Sequence, residues 1–377
     1  MGGLLFSNPG PKGEPPLKTP RFPPEIYNKL RDKYIEELKN YYEIVEALTE
    51  VPGKADFGDI DLIAEGPKFP FTSDQLAAQL RAARHTVNGR LASFAVARPD
   101  AEGLYVQLDV DVCPNGFIQW EKFHKSYGDL WQILGTIIRD VGLTASDTGL
   151  HVRIPELENV KGWKGARMIL TKDPIETMRF FGLDAEKYYA GFMSVEDIYR
   201  WCASCRFYST VRFRDRKVTA DDRRRTNTRK MYRDFVEEWV PFHPDAGLQQ
   251  RPGTRQQILQ EALVRFGKVA EYDKIMEAQT LAEAEAALWS RIAALLPFAG
   301  NAKNLTMRAL KRWTCFIDGK PVIRAVPVVA YENLPLWVSL FPAAEIDNIL
   351  EWVSSHWGMV KSLEKRRVSV DKASQRY

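Results

Sequence analysis

Two short stretches place aspartates two residues apart among apolar neighbours: Phe57-Gly-Asp-Ile-Asp-Leu-Ile-Ala64 and Gln107-Leu-Asp-Val-Asp111. In a β-strand, residues two apart share a face. Asp59 and Asp61 therefore project together, as do Asp109 and Asp111, while Ile60, Leu62, Leu108 and Val110 take the opposite face. On neighbouring strands these carboxylates make an all-oxygen donor set for hard divalent cations, which complete their shell with phosphate and water. Two such ions about 3.5–4 Å apart activate an attacking hydroxyl and stabilise a leaving pyrophosphate, which is the chemistry of phosphoryl transfer. A lone Asp-x-Asp is more often a solvated turn or a calcium ligand. Here a glycine precedes the first aspartate, an apolar run follows the second, and another acidic strand lies about fifty residues on.

The elements that must hold these residues follow from periodicity. After a Pro/Gly-rich stretch over residues 1–24, predicted to be a flexible arm, apolar residues recur at helical spacing through Ile26, Tyr27, Leu30, Tyr34, Leu38 and Tyr41, predicting a helix over 25–48. The first acidic segment reads as a strand, then a helix over 73–85, then two antiparallel strands at 91–98 and 104–112 separated by Pro99-Asp-Ala-Glu-Gly103. A helix at 129–141 and a strand at 150–154 close an α+β unit spanning 25–155. Residues 156–377 read as mostly helical, with helices predicted at 174–181, 195–207, 227–239, 256–266, 281–296 and 343–359 and a strand signal at 321–329.

Phe57-Gly-Asp-Ile-Asp-Leu-Ile resembles the Gly-Asp-apolar-Asp strand of the polymerase-β-like nucleotidyltransferases, and the family-X DNA polymerases in particular. The resemblance implies a palm with a mixed sheet and helices on one face. It implies that Asp59 and Asp61 are two of three metal carboxylates, and that Asp109, in Leu108-Asp-Val-Asp-Val-Cys-Pro114, is the third. Two Mg²⁺ or Mn²⁺ ions and a nucleoside triphosphate would then be the cofactors and donor. Ser126-Tyr-Gly-Asp-Leu-Trp131 is similar to the family's Gly-containing turn beside the sugar and base, so Ser126 and Gly128, with Gly58, are nucleotide-binding candidates. The likeness covers residues 45–155.

One feature departs from the family. Its apolar-Gly-Ser turn ahead of the first aspartate, where backbone amides hold the triphosphate, is here Ala47-Leu-Thr-Glu-Val-Pro-Gly-Lys54. Thr49 is the candidate hydroxyl and Lys54 the candidate cation. Arg81 and Arg84, spaced i and i+3, are further candidates on one helix face.

The net charge of +4 is unevenly spread. Residues 211–233 hold ten basic residues against three acidic ones, a local excess of seven, so the rest of the chain is net negative. Arg212, Arg214, Arg216, Arg223, Arg224, Arg225, Arg229 and Lys230, with Phe207, Tyr208, Phe213 and Tyr232 nearby, suit a sugar-phosphate backbone through charge and bases through stacking. DNA and RNA are not distinguished by this pattern.

The 377 residues, 45% hydrophobic and 27% charged, describe a chain able to bury a core. No apolar run is long enough to span a bilayer, and four scattered cysteines, Cys113, Cys202, Cys205 and Cys315, favour a reducing, intracellular setting over a disulfide framework. Cys202-Ala-Ser-Cys205 lacks a second ligand pair and reads as buried thiols rather than zinc ligands. The expected function is transfer of a nucleoside monophosphate from an NTP or dNTP to an acceptor hydroxyl, a nucleic-acid 3′ end. The rivals are a catalytically silent module that binds nucleic acid or protein, and a transferase acting on a small molecule or protein.

Overall fold

The computed structural model describes residues 3–10, 13–210, 213, 219–248 and 250–374. The chain divides into two compact units, Met1–Lys268 and Val269–Tyr377. The first unit therefore runs well past residue 155, where the α+β segment was expected to close.

In the first unit, helix α1 (Pro24–Leu38) begins with Pro at its first turn and buries Tyr27, Leu30, Tyr34 and Leu38. The helix predicted to reach residue 48 stops at Leu38, and strand β1 (Tyr42–Ala47) follows. Strand β2 (Asp59–Pro67), helix α2 (Ser73–Gln79), and strands β3 (Arg84–Asn88), β4 (Leu91–Ala97) and β5 (Tyr105–Cys113) complete a sheet of order β1-β2-β5-β4-β3. β2 and β5 are parallel and the other pairs antiparallel, so the sheet is mixed. Thr72 opens α2 with a capping box completed by Gln75.

α1 and α2 cover one face of this sheet. Ile60, Leu62 and Ala64 of β2 and Leu108 and Val110 of β5 meet Tyr27, Leu30, Tyr34 and Leu76 in one core, and Tyr27 stacks on Phe57 at 3.9 Å between ring centroids. Burial of this face fixes strand register, because a slip of one residue would turn the aspartates into the core. Helices α3 (Ile118–Lys125) and α4 (Leu130–Arg139) follow, then an antiparallel sheet of β6 (Leu143–Ser146), β7 (Gly149–Arg153) and β8 (Arg167–Thr171), with α5 (Pro155–Gly165) between the last two strands. Further helices include Pro174–Phe181, Val195–Ala203, Ala220–Thr228, Lys230–Asp234 and Arg255–Arg265.

Residues 3–10 and 13–22 pack on this unit where a flexible arm was expected. Phe22 and Phe57 exchange backbone hydrogen bonds of 2.9 and 2.8 Å, and the Tyr105 N–H donates to Lys18 O at 2.9 Å. Phe6 and Phe22 are buried.

The second unit is helical apart from a hairpin of β9 (Thr314–Ile317) and β10 (Lys320–Ile323). Helices Val269–Leu295, Gly300–Trp313 and Ile346–Ser374 bury Trp289, Trp313 and Trp337 with Ile292, Leu310 and Val353. The architecture is thus α+β with a mixed five-stranded sheet and a helical C-terminal half. No described helix is long and apolar enough to cross a membrane.

Candidate metal centre

The parallel pairing of β2 with β5 sets Asp61 opposite Asp109 and Asp59 opposite Gln107. Because side chains alternate faces, the residues turned away from the α1 core include Asp59, Asp61, Gln107, Asp109 and Asp111. One carboxylate oxygen from each of Asp59, Asp61 and Asp109 lies within 4.8 Å of the other two. Three carboxylates at that separation, none of them in an ion pair with a described residue, are an oxygen donor set of the kind a hard divalent ion requires.

Crowding shows in their titration. Burial, then the charges of Asp59, Asp109 and Glu50, push the Asp61 carboxyl up to about 8, with Lys54 opposing. Burial also raises Asp109, against hydrogen bonds from Ser93 and Gln107 that favour its charged form. Gln107 Nε2 donates to Asp109 Oδ2 at 2.8 Å, whereas Asp109 Oδ1 is buried with no hydrogen-bond partner among the described residues. A buried carboxylate oxygen without a donor is costly unless a cation takes its lone pairs. The set therefore fits a divalent metal both by donor chemistry and by this unmet oxygen.

Asp59 and Asp61 open on a cleft of about 780 Å³ lined also by Thr49, Glu50, Lys54, Lys125, Gly128, Asp129, Arg229 and Lys230, with Tyr199 and Met231 among its apolar wall, while Asp109 is buried and does not line it. Thr49 and Ser126 are tied together: the Thr49 N–H donates to Ser126 Oγ at 3.0 Å, and the Tyr127 N–H donates to Thr49 O at 2.6 Å. Thr49 and Gly128 face the cleft, while Ser126 is buried behind them. Gly128 has φ +61°, and a Cβ there would stand 2.7 Å from Val51 Cγ2, so the close approach of these two turns needs glycine.

Lys54 lines the cleft, ion-paired to Glu50 at 2.7 Å and lying over the Phe57 ring. Gly58 is buried beneath the arm and is not among the residues lining the cleft. Arg81 and Arg84 do not share a helix face: α2 ends before them, Arg81 adopts φ 52°, and Arg84 sits on β3, donating to the backbone oxygens of Asn8 and Pro15.

Asp111 lies beside the triad in an ion pair, accepting from Lys125 Nζ at 2.6 Å. Lys125 also reaches Glu121 at 2.6 Å, a side chain with 0% exposure that Arg90 meets at 2.8 Å. Burial would lower the Lys125 pKa, but its hydrogen bonds to Asp111 and Glu121 outweigh that and raise it. The Lys125 cation is thus fixed in the cleft wall.

Of the basic segment, Arg212, Arg214 and Arg216 lie outside the described residues. Arg229 and Lys230 line the cleft itself, Arg229 meeting Asp129 at 3.4 Å and Lys230 pairing with Asp234. Arg223 and Arg224 are exposed on the helix Ala220–Thr228, which ends at the cleft with Thr228. Arg225 has a different place: it meets Asp222 at 3.2 Å, a carboxylate with 0% exposure that Arg139 also approaches at 3.4 Å.

Sequence reasoning passed over Glu50, Lys125, Asp129 and Gln107. Gln107 was legible as the same-face neighbour two residues before Asp109, and Glu50 by its place next to Thr49. Lys125 and Asp129 carry no local signal, because tertiary packing alone brings them to the cleft. His124 is half-buried and stacked on Trp120, its pKa lowered to about 4 by desolvation, and His151 bonds Gly149 O, so both are structural. Cys202 and Cys205 are buried free thiols. No protein-family model matches the chain, and neither does any curated protein.

Proposed function

We propose that the cleft is the active site of a polymerase-β-like nucleotidyltransferase, moving a nucleoside monophosphate from an NTP or dNTP to the hydroxyl of a nucleic-acid 3′ end. The observation that carries this reading is the meeting of Asp59, Asp61 and Asp109 on adjacent parallel strands, within 4.8 Å, with Asp59 and Asp61 lining a cleft that has basic residues in its wall. Mg²⁺ or Mn²⁺, when bound as a pair, supplies activation of the acceptor hydroxyl and stabilisation of the leaving pyrophosphate. Asp59 and Asp61 would hold both ions, with Asp109 completing the donor set on the acceptor side. Lys54, Lys125, Arg229 and Lys230 face the phosphates as a cationic wall, and Thr49, Ser126 and Gly128 shape the turn that receives the nucleotide. Arg223 and Arg224 extend the positive surface outward for a polyanionic acceptor.

Glu50 favours a second reading. It lies next to the position where the family has Gly-Ser, and a carboxylate facing the triad repels a triphosphate that arrives without metal. A catalytically silent module that binds nucleic acid or protein would carry such a residue without cost. Incubation of the purified protein with each labelled NTP and dNTP, Mg²⁺ or Mn²⁺ and a panel of DNA and RNA oligonucleotides separates the two. Label transfer lost in Asp59→Asn and Asp109→Asn supports the enzyme. Equal turnover in wild type and both variants removes it. Turnover by none of them, with oligonucleotide binding retained, establishes the silent module, and transfer to protein or small molecules alone changes the acceptor.

A further inference from the structure

Asp109 is held from behind by a part of the chain distant from it in sequence. Gln107, with 7% exposure, donates through Nε2 to Asp109 Oδ2 at 2.8 Å. Its Oε1 accepts from the backbone N–H of Leu5 at 3.1 Å, across 102 residues. An ionised carboxylate only accepts and a backbone N–H only donates, so the two contacts allow one orientation of this amide. If the Leu5 N–H leaves, Gln107 Oε1 loses its donor, and the amide is held by its contact to Asp109 alone, with its position no longer fixed from behind.

The arm that delivers Leu5 is built in. Its turn is closed by the Leu17 N–H to Phe6 O at 2.9 Å, by Thr19 Oγ1 to Gly3 O at 2.6 Å, and by Ser7 and Thr19 hydroxyls 2.7 Å apart. Gly3 lies directly on Gly58, the residue before Asp59: with φ +84°, a Cβ at Gly3 would stand 1.9 Å from Gly58 O. One short segment thus touches the backbone of β2 at its start and the side chain that orients Asp109 on β5.

We propose that the docked arm, through its residues 3–7 and 17–19, is an integral part of the metal centre, with Gln107 the positioning residue through which it sets the Asp109 carboxylate. It follows that arm docking and cation binding are coupled, each strengthening the other by the same factor. This rests on the reading of Asp59, Asp61 and Asp109 as cation ligands.

The test uses the full chain with Mn²⁺ alone as probe, combining calorimetric titration with hydrogen exchange of residues 3–22. In the wild type, Mn²⁺ is expected to slow exchange across the arm at least fivefold, Leu5 included. Gln107→Leu removes both the donor to Asp109 and the acceptor for Leu5 without adding charge; it is expected to bind Mn²⁺ at least tenfold more weakly and to raise metal-free arm exchange. Gly3→Ala disturbs the arm and leaves Gln107 intact; exchange is expected to rise and Mn²⁺ affinity to fall three- to tenfold, with the main melting transition unmoved. Mn²⁺ binding by the wild type with no change in arm exchange overturns the proposal, and needs no variant to be folded. Affinities of both folded variants within twofold of wild type do the same. Absence of Mn²⁺ binding to the wild type overturns the metal-centre reading itself.

Discussion

Asp61→Asn should make the metal-free protein more stable, by an amount that depends on pH. The carboxyl is moved from 3.8 to about 8, by burial first and then by Asp59, Asp109 and Glu50. A carboxyl raised on folding holds a proton that the unfolded chain releases. Its contribution to stability is therefore full below about 4 and lost as pH rises towards about 8. A shift of roughly four units at about 1.4 kcal/mol each sets a ceiling near 6 kcal/mol. Asp61 borders an open cleft, so water screening cuts this to roughly 3 kcal/mol. The neutral amide removes the penalty. At pH 8.5 that corresponds to a Tm rise of about 6–12 °C for a unit of this size. Thermal melts in chelator from pH 4.5 to 9 should show the wild-type Tm falling with pH, the Asn variant nearly flat, and the two converging at the acid end. Mg²⁺ should restore the wild type and leave the variant unmoved. Parallel pH profiles in chelator would refute the claim that the three carboxylates repel one another.

Reversing Arg223 and Arg224 to Glu should weaken oligonucleotide binding for every sequence and flatten its log-log salt slope by about 0.7–0.9 for each phosphate no longer neutralised, with Mn²⁺ affinity unchanged in calorimetry. Arg225→Ala should instead act on folding: Asp222, fully buried, loses its shorter arginine contact and keeps the longer one to Arg139 with the Thr219 hydrogen bonds, and a loss of about 1–3 kcal/mol is expected in denaturant melts. Gly128→Ala should raise the nucleotide Kd, because its Cβ meets Val51 and its φ disfavours a side chain, at a stability cost of about 1–2 kcal/mol; fluorescent-nucleotide titration and melts measure both.

The carboxylate strands were legible because their signal is local: alternation of Asp with Ile, Leu and Val is visible in a few residues, and β4 and β5 lie close to their expected spans. β1 was hidden because Tyr42 and Val45 continue the apolar spacing of α1, and only the sheet's need for an edge partner to β2 makes it a strand. β3 was hidden in the same way behind α2, where Arg81 turns the chain through positive φ. The helix expected over 227–239 is broken at Arg229, whose extended backbone ends one helix and starts the next. That break brings Arg229 and Lys230 to the cleft rather than along an outer helix face. The basic segment therefore contains residues of different kinds, and composition could not separate cleft-lining Arg229 and Lys230, exposed Arg224 and ion-paired Arg225. The packing of the arm had no sequence signature, since Pro and Gly mark a docked loop as readily as a mobile one.

The parallel pairing of β2 with β5 bears on the order of events in folding. β4 and β5 can form a hairpin through the short turn at Pro99–Gly103, which closes quickly. β2 joins β5 only after β3, β4 and α2 have been looped out, and Leu5 reaches Gln107 across 102 residues. Such distant closures are slow and come after local ones. The expectation is that the carboxylates come together only beyond the barrier, which a refolding rate independent of Mn²⁺ would check. Any binding energy a cation finds among them is absent from the transition state. It leaves the refolding rate alone and appears almost wholly as a longer lifetime of the folded chain.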